Sequence, residues 1–358
     1  MVPLVSPPAA GSTPRLVVNA LPLDPHGGGV STYIRELLVA LPAAVRSTVS
    51  AAVQSTAVDE LSPAVEPLVQ PPCRGVRRAA SGLRGFGPAD LVHGLDVDLP
   101  IRPRVPMVST VHDMALYDLP SVFPRYRVAG ERLLVRHALR RADAVIAVSA
   151  FTAERVKAHS GRDAVVVHEA PGSEMAVPAE ADVERARTRY RLPETFVLHV
   201  GNIEPRKDLA TLAEGCRRVG VPLLLTGSPL WGHRQPPGTT ALGHVDRSDL
   251  PALFAAATVV GYASRYEGFG LPPIEALACG AAVVSTPVPA LTEVVGDAVD
   301  TFRPGDADAL ERVLRRLLSD GEERTARAEA GRSRLAGLGW ERAARETASV
   351  YRSLGVAL

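Results

Sequence analysis

Cysteine is nearly missing from this chain. The three that occur, Cys73, Cys216 and Cys279, are odd in number and far apart in 358 residues. That excludes a disulfide framework and points to a reducing compartment. No run of about 18 apolar residues occurs, so no segment reads as a membrane span. The opening MVPLVSPPAAGSTPRLVVNA has no basic stretch ahead of an apolar one, and it does not read as a secretory signal. Excess charge is absent as well. Lys+Arg 40 against Asp+Glu 39 leaves a formal net charge of +1, too little for a chain-wide grip on nucleic acid. No His-x-x-x-His or Cys-x-x-Cys pair occurs, so no zinc site is expected. What is present is an ordinary soluble balance, 46% hydrophobic and 22% charged. At about 150 residues per domain the length predicts two domains, each large enough for its own core. The expected setting is the cytosol, with contact at the inner membrane face left open.

Short apolar runs alternate with amphipathic stretches throughout. Leu16–Val18, Leu91–His93, Met107–Val111 and Ala144–Val148 are strand candidates in the first half, with helical patterns at Ser31–Leu41 and Arg127–Arg141. Phe196–Val200, Pro222–Thr226, Val259–Tyr262 and Ala282–Ser285 continue the theme in the second half. Val, Ile and Leu without alternation suit parallel strands buried on both faces. The chain is therefore read as α/β, with a doubly wound parallel sheet in each half. The boundary is expected in Ala170–Pro193, giving residues 1–172, 173–340 and a terminal segment 341–358. Arg74–Gly87, RGVRRAASGLRGFG, reads as a solvated basic loop, or else as a patch for an anionic lipid or acceptor.

The most specific stretch is Ser264–Gly280, SRYEGFGLPPIEALACG. Glycine-rich backbone after a buried strand lets amide groups approach an anion closely. Proline is tolerated at a helix start, so Leu271–Ala278 is predicted helical with its N-terminal dipole aimed at a ligand. Glu267 then lies on the preceding loop and Glu275 about one turn inside. Two carboxylates at different depths can accept hydrogen bonds from different sugar hydroxyls.

This string resembles the E-x7-E signature of the retaining glycosyltransferases of family 4, which have the GT-B fold of two Rossmann-like domains facing a cleft. The resemblance extends over most of the chain. NALPLDPHGGGVSTY, with Gly27, Gly28 and Gly29, looks like the family's glycine loop, whose backbone reaches the donor diphosphate. VGNIEPRKDL looks like the strand-end loop in which Arg206 and Lys207 clasp that diphosphate, a planar fork beside a compact point charge. Leu242–Asp246 resembles a glycine-containing strand whose backbone near Val245 faces the nucleobase. His112 and Asp113 end the Met107–Val111 strand, where α/β sheets bind ligands. By resemblance His112 contacts a hydroxyl of the transferred sugar, and Asp113 orients it or touches the acceptor. The segment after Trp340 is expected to cross back onto the first domain. His168–Gly172, HEAPG, replaces the family's commoner Asn-Gly linker turn.

The resemblance implies sugar transfer from a nucleotide-diphosphate donor to a hydroxyl of a glycan, glycolipid or small-molecule acceptor, with retention. Arg206, Lys207, the Gly268–Phe269–Gly270–Leu271 amides and the Gly28–Gly29 backbone would stabilise the departing diphosphate. Glu275 would hold the ribose and Glu267 a donor-sugar hydroxyl. No Asp-x-Asp element is expected to hold a metal–diphosphate, so no metal or other cofactor is expected. The chain looks most like bacterial mannosyltransferases of polysaccharide assembly that use GDP-mannose. A UDP- or dTDP-sugar donor, a UDP-N-acetylglucosamine epimerase-like enzyme and a non-catalytic nucleotide-sugar binder stay open. So does a lipid-linked acceptor.

Overall fold

The computed structural model describes residues 14–101, 105–243 and 245–356. The chain divides into two compact units, one running to Glu169 and resuming at Gly339, the other spanning Ala170–Leu338. In the first, seven strands form one sheet: β1 (Arg15–Asn19), β2 (Thr48–Gln54), β3 (Glu66–Gln70), β4 (Leu91–Gly94), β5 (Met107–Val111), β6 (Ala144–Ala147) and β7 (Val165–Val166). Their order is β3-β2-β1-β4-β5-β6-β7, and every pairing is parallel. The crossovers carry α1 (Gly29–Ala44), α2 (Val76–Arg84), α3 (Ala115–Asp118), α4 (Arg125–Arg141) and α5 (Ala150–Ser160). Both faces of β5 and β6 are buried, as parallel strands between helical layers require, with Ser109 and Thr110 of β5 buried among the apolar residues. Met107, Val111 and Val145 pack against Val135 and Leu139 of α4 and Val156 of α5.

The second unit has six parallel strands, β8 (Val197–Val200), β9 (Leu223–Thr226), β10 (Thr240–Gly243), β11 (Val259–Tyr262), β12 (Val283–Ser285) and β13 (Asp300–Thr301). They are ordered β10-β9-β8-β11-β12-β13. Its helices are α6 (Glu180–Tyr190), α7 (Leu209–Val219), α8 (Leu250–Ala256), α9 (Leu271–Ala278), α10 (Pro289–Val295), α11 (Ala307–Ser319) and α12 (Gly321–Arg334). Leu209, Leu212 and Cys216 share one stripe of α7 and meet Leu310, Leu314 and Leu317 of α11. Each fully buried leucine there contributes about 1.5–3 kcal/mol. The thiol of Cys216 is sealed in, and burial pushes its pKa up to about 12.

The last helix, α13 (Trp340–Ser353), belongs to the first unit. Its Tyr351 hydroxyl bonds His93 Nδ1 at 2.6 Å, and His93 Nε2 meets Thr110 Oγ1 at 2.9 Å. Thr110 in turn bonds the hydroxyl of Tyr33 at 3.0 Å. Burial lowers the His93 pKa to about 3, so this internal ring is neutral and one nitrogen must accept while the other donates. Trp340 packs edge-on against Tyr33, with ring centroids 5.9 Å apart, so it belongs with the helix it opens. The unit boundaries therefore fall after Glu169 and Leu338 rather than after Gly172 and Trp340.

Two expectations need correcting. The basic run Arg74–Gly87 is not a loop, because it contains α2. Arg78 turns inward, with Nε 3.4 Å from the buried Asp98, which gives the helix a fixed face. The pattern at Ser31–Leu41 extends to Gly29–Ala44, with Pro42 lying inside the last turn. Tyr351→Phe should lower the stability of the first unit by about 1–3 kcal/mol, since His93 Nδ1 loses its buried partner. Native-state hydrogen exchange of β4 and β5 amides reads this, and a change within about 0.5 kcal/mol would remove the role assigned to the hydroxyl.

Candidate active site

Open parallel sheets bind ligands beyond the carboxyl ends of their strands, where the strand order reverses. In the second unit that point lies between β8 and β11. The chain leaving β8 forms a short turn at Pro205–Lys207. The chain leaving β11 runs through Ser264–Gly270 into α9. The two loops are tied, with the Arg265 amide donating to the Arg206 carbonyl at 2.7 Å. Arg206 Nη1 donates to Glu267 Oε2 at 2.9 Å and to the Tyr266 carbonyl at 3.0 Å. Its Nε lies 2.8 Å from Glu204 Oε1. Lys207, only 5% exposed, places Nζ 2.5 Å from Glu267 Oε1. Two cations and two carboxylates thus form one neutral cluster. Burial alone would raise the Glu267 pKa, but Lys207 and Arg206 hold it down, at about 2. Glu204 was not singled out in the sequence, although it stands in the same quoted string.

The helix predicted at Leu271–Ala278 is α9, with those bounds. Gly270 precedes it at φ +100°, a left-handed conformation that only glycine adopts without strain. Pro272 and Pro273 occupy the first turn and lack N–H groups, so this end offers an anion its dipole and the few amides before the prolines. Gly268, Phe269, Gly270 and Leu271 are buried, as is Glu275 in the second turn. Burial, with the charges of Glu275 and Glu267 adding, pushes the pKa of the Tyr262 phenol at the end of β11 upward. Val245 lies half-buried in the loop after β10. His244, beside it, lies outside the described residues.

In the first unit Gly28 caps α1 and Gly29 opens it. A Cβ at Gly27 would overlap the Ser31 side chain, so this loop packs as tightly as it does only with glycine. His112 follows β5. Its Nε2 lies 2.9 Å from the Leu95 carbonyl and its Nδ1 3.3 Å from Glu169 Oε1. Both ring nitrogens are therefore engaged by the protein, and a sugar hydroxyl could reach neither without displacing one partner. Asp113 turns to the start of α3, its Oδ1 accepting the Ala115 amide at 2.9 Å. Leu95 and Glu169 carry no sequence signal for this contact, apart from the unusual HEAPG turn.

Asp-x-Asp does occur twice, at Asp96–Asp98 and Asp306–Asp308. Arg78 faces both carboxylates of the first. In the second, Asp306 caps α11 and Asp308 pairs with Arg218. Among the described residues no group of three or more His, Cys, Asp or Glu is placed to hold a metal ion. Among them, too, no helix is long and apolar enough to cross a membrane.

Comparison with known proteins gives the family. Residues 181–334 match the family described as glycosyl transferases group 1, and residues 27–170 that described as glycosyltransferase family 4. O-antigen chain mannosyltransferase B of Escherichia coli is 30% identical over 299 residues, 78% of each chain. The chain belongs to the family 4 glycosyltransferases. A D-inositol 3-phosphate glycosyltransferase of Nocardioides sp. is 30% identical to this glycosyltransferase, over 94% of this chain and 88% of its own. Sucrose-phosphate synthase from Thermosynechococcus elongatus has a TM-score of 0.78 at 24% identity, covering 96% of this chain and 100% of that one. HepE of Anabaena, solved in complex with UDP-glucose, has a TM-score of 0.73 at 19% identity, covering 95% and 99%. The fold is GT-B.

The charge cluster of this glycosyltransferase has a measurable signature. Glu267 has a depressed folded pKa, so its stabilisation is present above about pH 4.5 and fades as pH falls towards 2. Glu267→Ala should cost the C-terminal unit about 3–5 kcal/mol at pH 7, because two cations lose their anion. Urea unfolding across pH 2–7 should also show a shallower acid slope in the variant. Equal slopes would mean that the cluster is not ionised as drawn.

Proposed function

We propose that this glycosyltransferase moves mannose from GDP-mannose to a hydroxyl of a glycan or glycolipid acceptor, with retention and without a metal. The observation that carries the reading is the Arg206–Lys207–Glu267 cluster before α9, with Lys207 and Glu267 buried and Arg206 half-buried, and the buried Glu275 within α9. The C-terminal unit takes the donor. Arg206, Lys207, the α9 dipole and the Gly268–Leu271 amides meet the charge that develops as the bond from the anomeric carbon to the diphosphate breaks. Since Glu204 and Glu267 already neutralise both basic residues, the cluster is held in place before any ligand arrives.

Glu275 holds the ribose and Glu267 a hydroxyl of the donor sugar. A carboxylate with a pKa near 2 is a weak base and hence a poor nucleophile, which suits Glu267 as an acceptor of hydrogen bonds. Retention then arises without a covalent enzyme intermediate. The acceptor hydroxyl attacks from the face the diphosphate leaves and gives its proton to a phosphate oxygen. Similarity to the O-antigen mannosyltransferase supports mannose as the sugar. The UDP-glucose complex of HepE favours a second reading, a UDP-sugar donor. A lipid-linked acceptor, met through the exposed Arg74, Arg77 and Arg84 in and beside α2, extends the proposal, as does a cytoplasmic setting for three free thiols.

The test is nucleoside diphosphate release from a panel of nucleotide sugars with EDTA present. GDP release from GDP-mannose is expected, falling about a hundredfold or more in Arg206→Ala. Release from a UDP- or dTDP-sugar instead would replace the donor and keep the chemistry. Release only after a divalent cation is restored would overturn metal independence.

A further inference from the structure

The pair formed by His112 and Glu169 is a built feature that the assignments above leave without a purpose. Glu169 is 3% exposed and is the last residue of the first unit before the chain leaves it. The two residues are 57 positions apart in sequence and meet at 3.3 Å. A carbonyl oxygen can only accept, so His112 Nε2, 2.9 Å from the Leu95 carbonyl, carries a hydrogen. Nδ1 then faces a carboxylate, and the contact is attractive only if a proton lies between them. The other groups placed against the ring leave that arrangement intact. Asp96, after β4, adds negative charge; His93 of β4 is neutral. Tyr33 of α1 contributes a ring edge, with centroids 4.8 Å apart. Thr152 of α5 donates to the His112 main-chain carbonyl at 3.5 Å.

We infer that Glu169 is a positioning residue of the transfer site, fixing the His112 ring against Tyr33 and keeping a hydrogen on each ring nitrogen. The inference rests on the proposed function, together with the role that the family resemblance implies for His112, contact with a hydroxyl of the transferred sugar. Burial by itself would lower the His112 pKa, yet the hydrogen bond and charge of Glu169, with Asp96 and the Leu95 carbonyl adding, carry it to about 9. A substrate oxygen that takes the place of the Leu95 carbonyl therefore meets a cationic donor in a fixed orientation. The HEAPG turn, which carries Glu169, thus supplies chemistry as well as a bend.

The test compares wild type with Glu169→Gln, which keeps shape and an acceptor oxygen but no charge, and with Glu169→Asp, which keeps the charge. Histidine labelled with 13C at Cε1, assigned through His112→Asn, reports the titration of the ring. The wild-type midpoint is expected near pH 9, falling about two units in Glu169→Gln and recovering in Glu169→Asp. Donor hydrolysis should follow it. At pH 8.5, kcat in Glu169→Gln drops about 25-fold while KM stays nearly constant, and the loss is regained below pH 6. An unshifted midpoint overturns the inference, and so does a shifted midpoint with an unchanged pH profile of kcat. If Glu169→Gln does not fold, an ordinary midpoint in wild type or failure of Glu169→Asp to retain the raised one overturns it alone. If wild type releases diphosphate from no nucleotide sugar, the inference falls with the proposed function, whatever the midpoint.

Discussion

Glu267 is the constraint around which the C-terminal unit is organised. A carboxylate this deeply placed would ordinarily be neutral or absent, because losing its hydration costs several kcal/mol. It stays ionised because Arg206 and Lys207, from a loop some sixty positions earlier, close on both of its oxygens. That requirement fixes the separation of the loops after β8 and β11, and with it the aim of α9. In the proposed function, the same ions that let the fold tolerate Glu267 are those that meet the diphosphate. The structural solution and the chemical one therefore share atoms, so mutations there disturb both together.

The N-terminal unit solves a different problem with neutral groups. Tyr351, His93, Thr110 and Tyr33 pass hydrogen bonds across the interior from α13 to α1. Each has a partner, which is what makes such a buried polar chain tolerable. Tyr33 then sets its ring edge on His112. A helix from the end of the described chain thereby shapes the surroundings of a residue at the end of β5.

Much of this was legible in the sequence because its causes are local. Met107–Val111 and Val259–Tyr262 appear as strands with the bounds expected of them, and α9 likewise, since short valine-rich runs and a double proline act within a few residues. Thr48–Gln54 was passed over because its threonine, serine and glutamine mask a strand that pairs on both sides. Val165–Val166 and Asp300–Thr301 are too short to show any periodicity. Arg74–Gly87 was misread because the inward turn of Arg78 depends on Asp98, which no local pattern reveals. The contact of Glu169 with His112 failed to show for the same reason. It is a long-range pairing, and sequence spacing carries no information about it.

The place of α13 has a consequence for how the protein is made on the ribosome. The C-terminal unit is continuous in sequence, so all of it has emerged once Leu338 is clear. The N-terminal unit begins first but finishes last, because Tyr351, the partner of His93, is synthesised after everything else it needs. Until then the faces of α1 and β4 that α13 covers stay open, with His93 short of one hydrogen bond. Domains generally fold in the order in which they appear. Here the order of completion is reversed, and the half-built first unit waits through the synthesis of the whole second one.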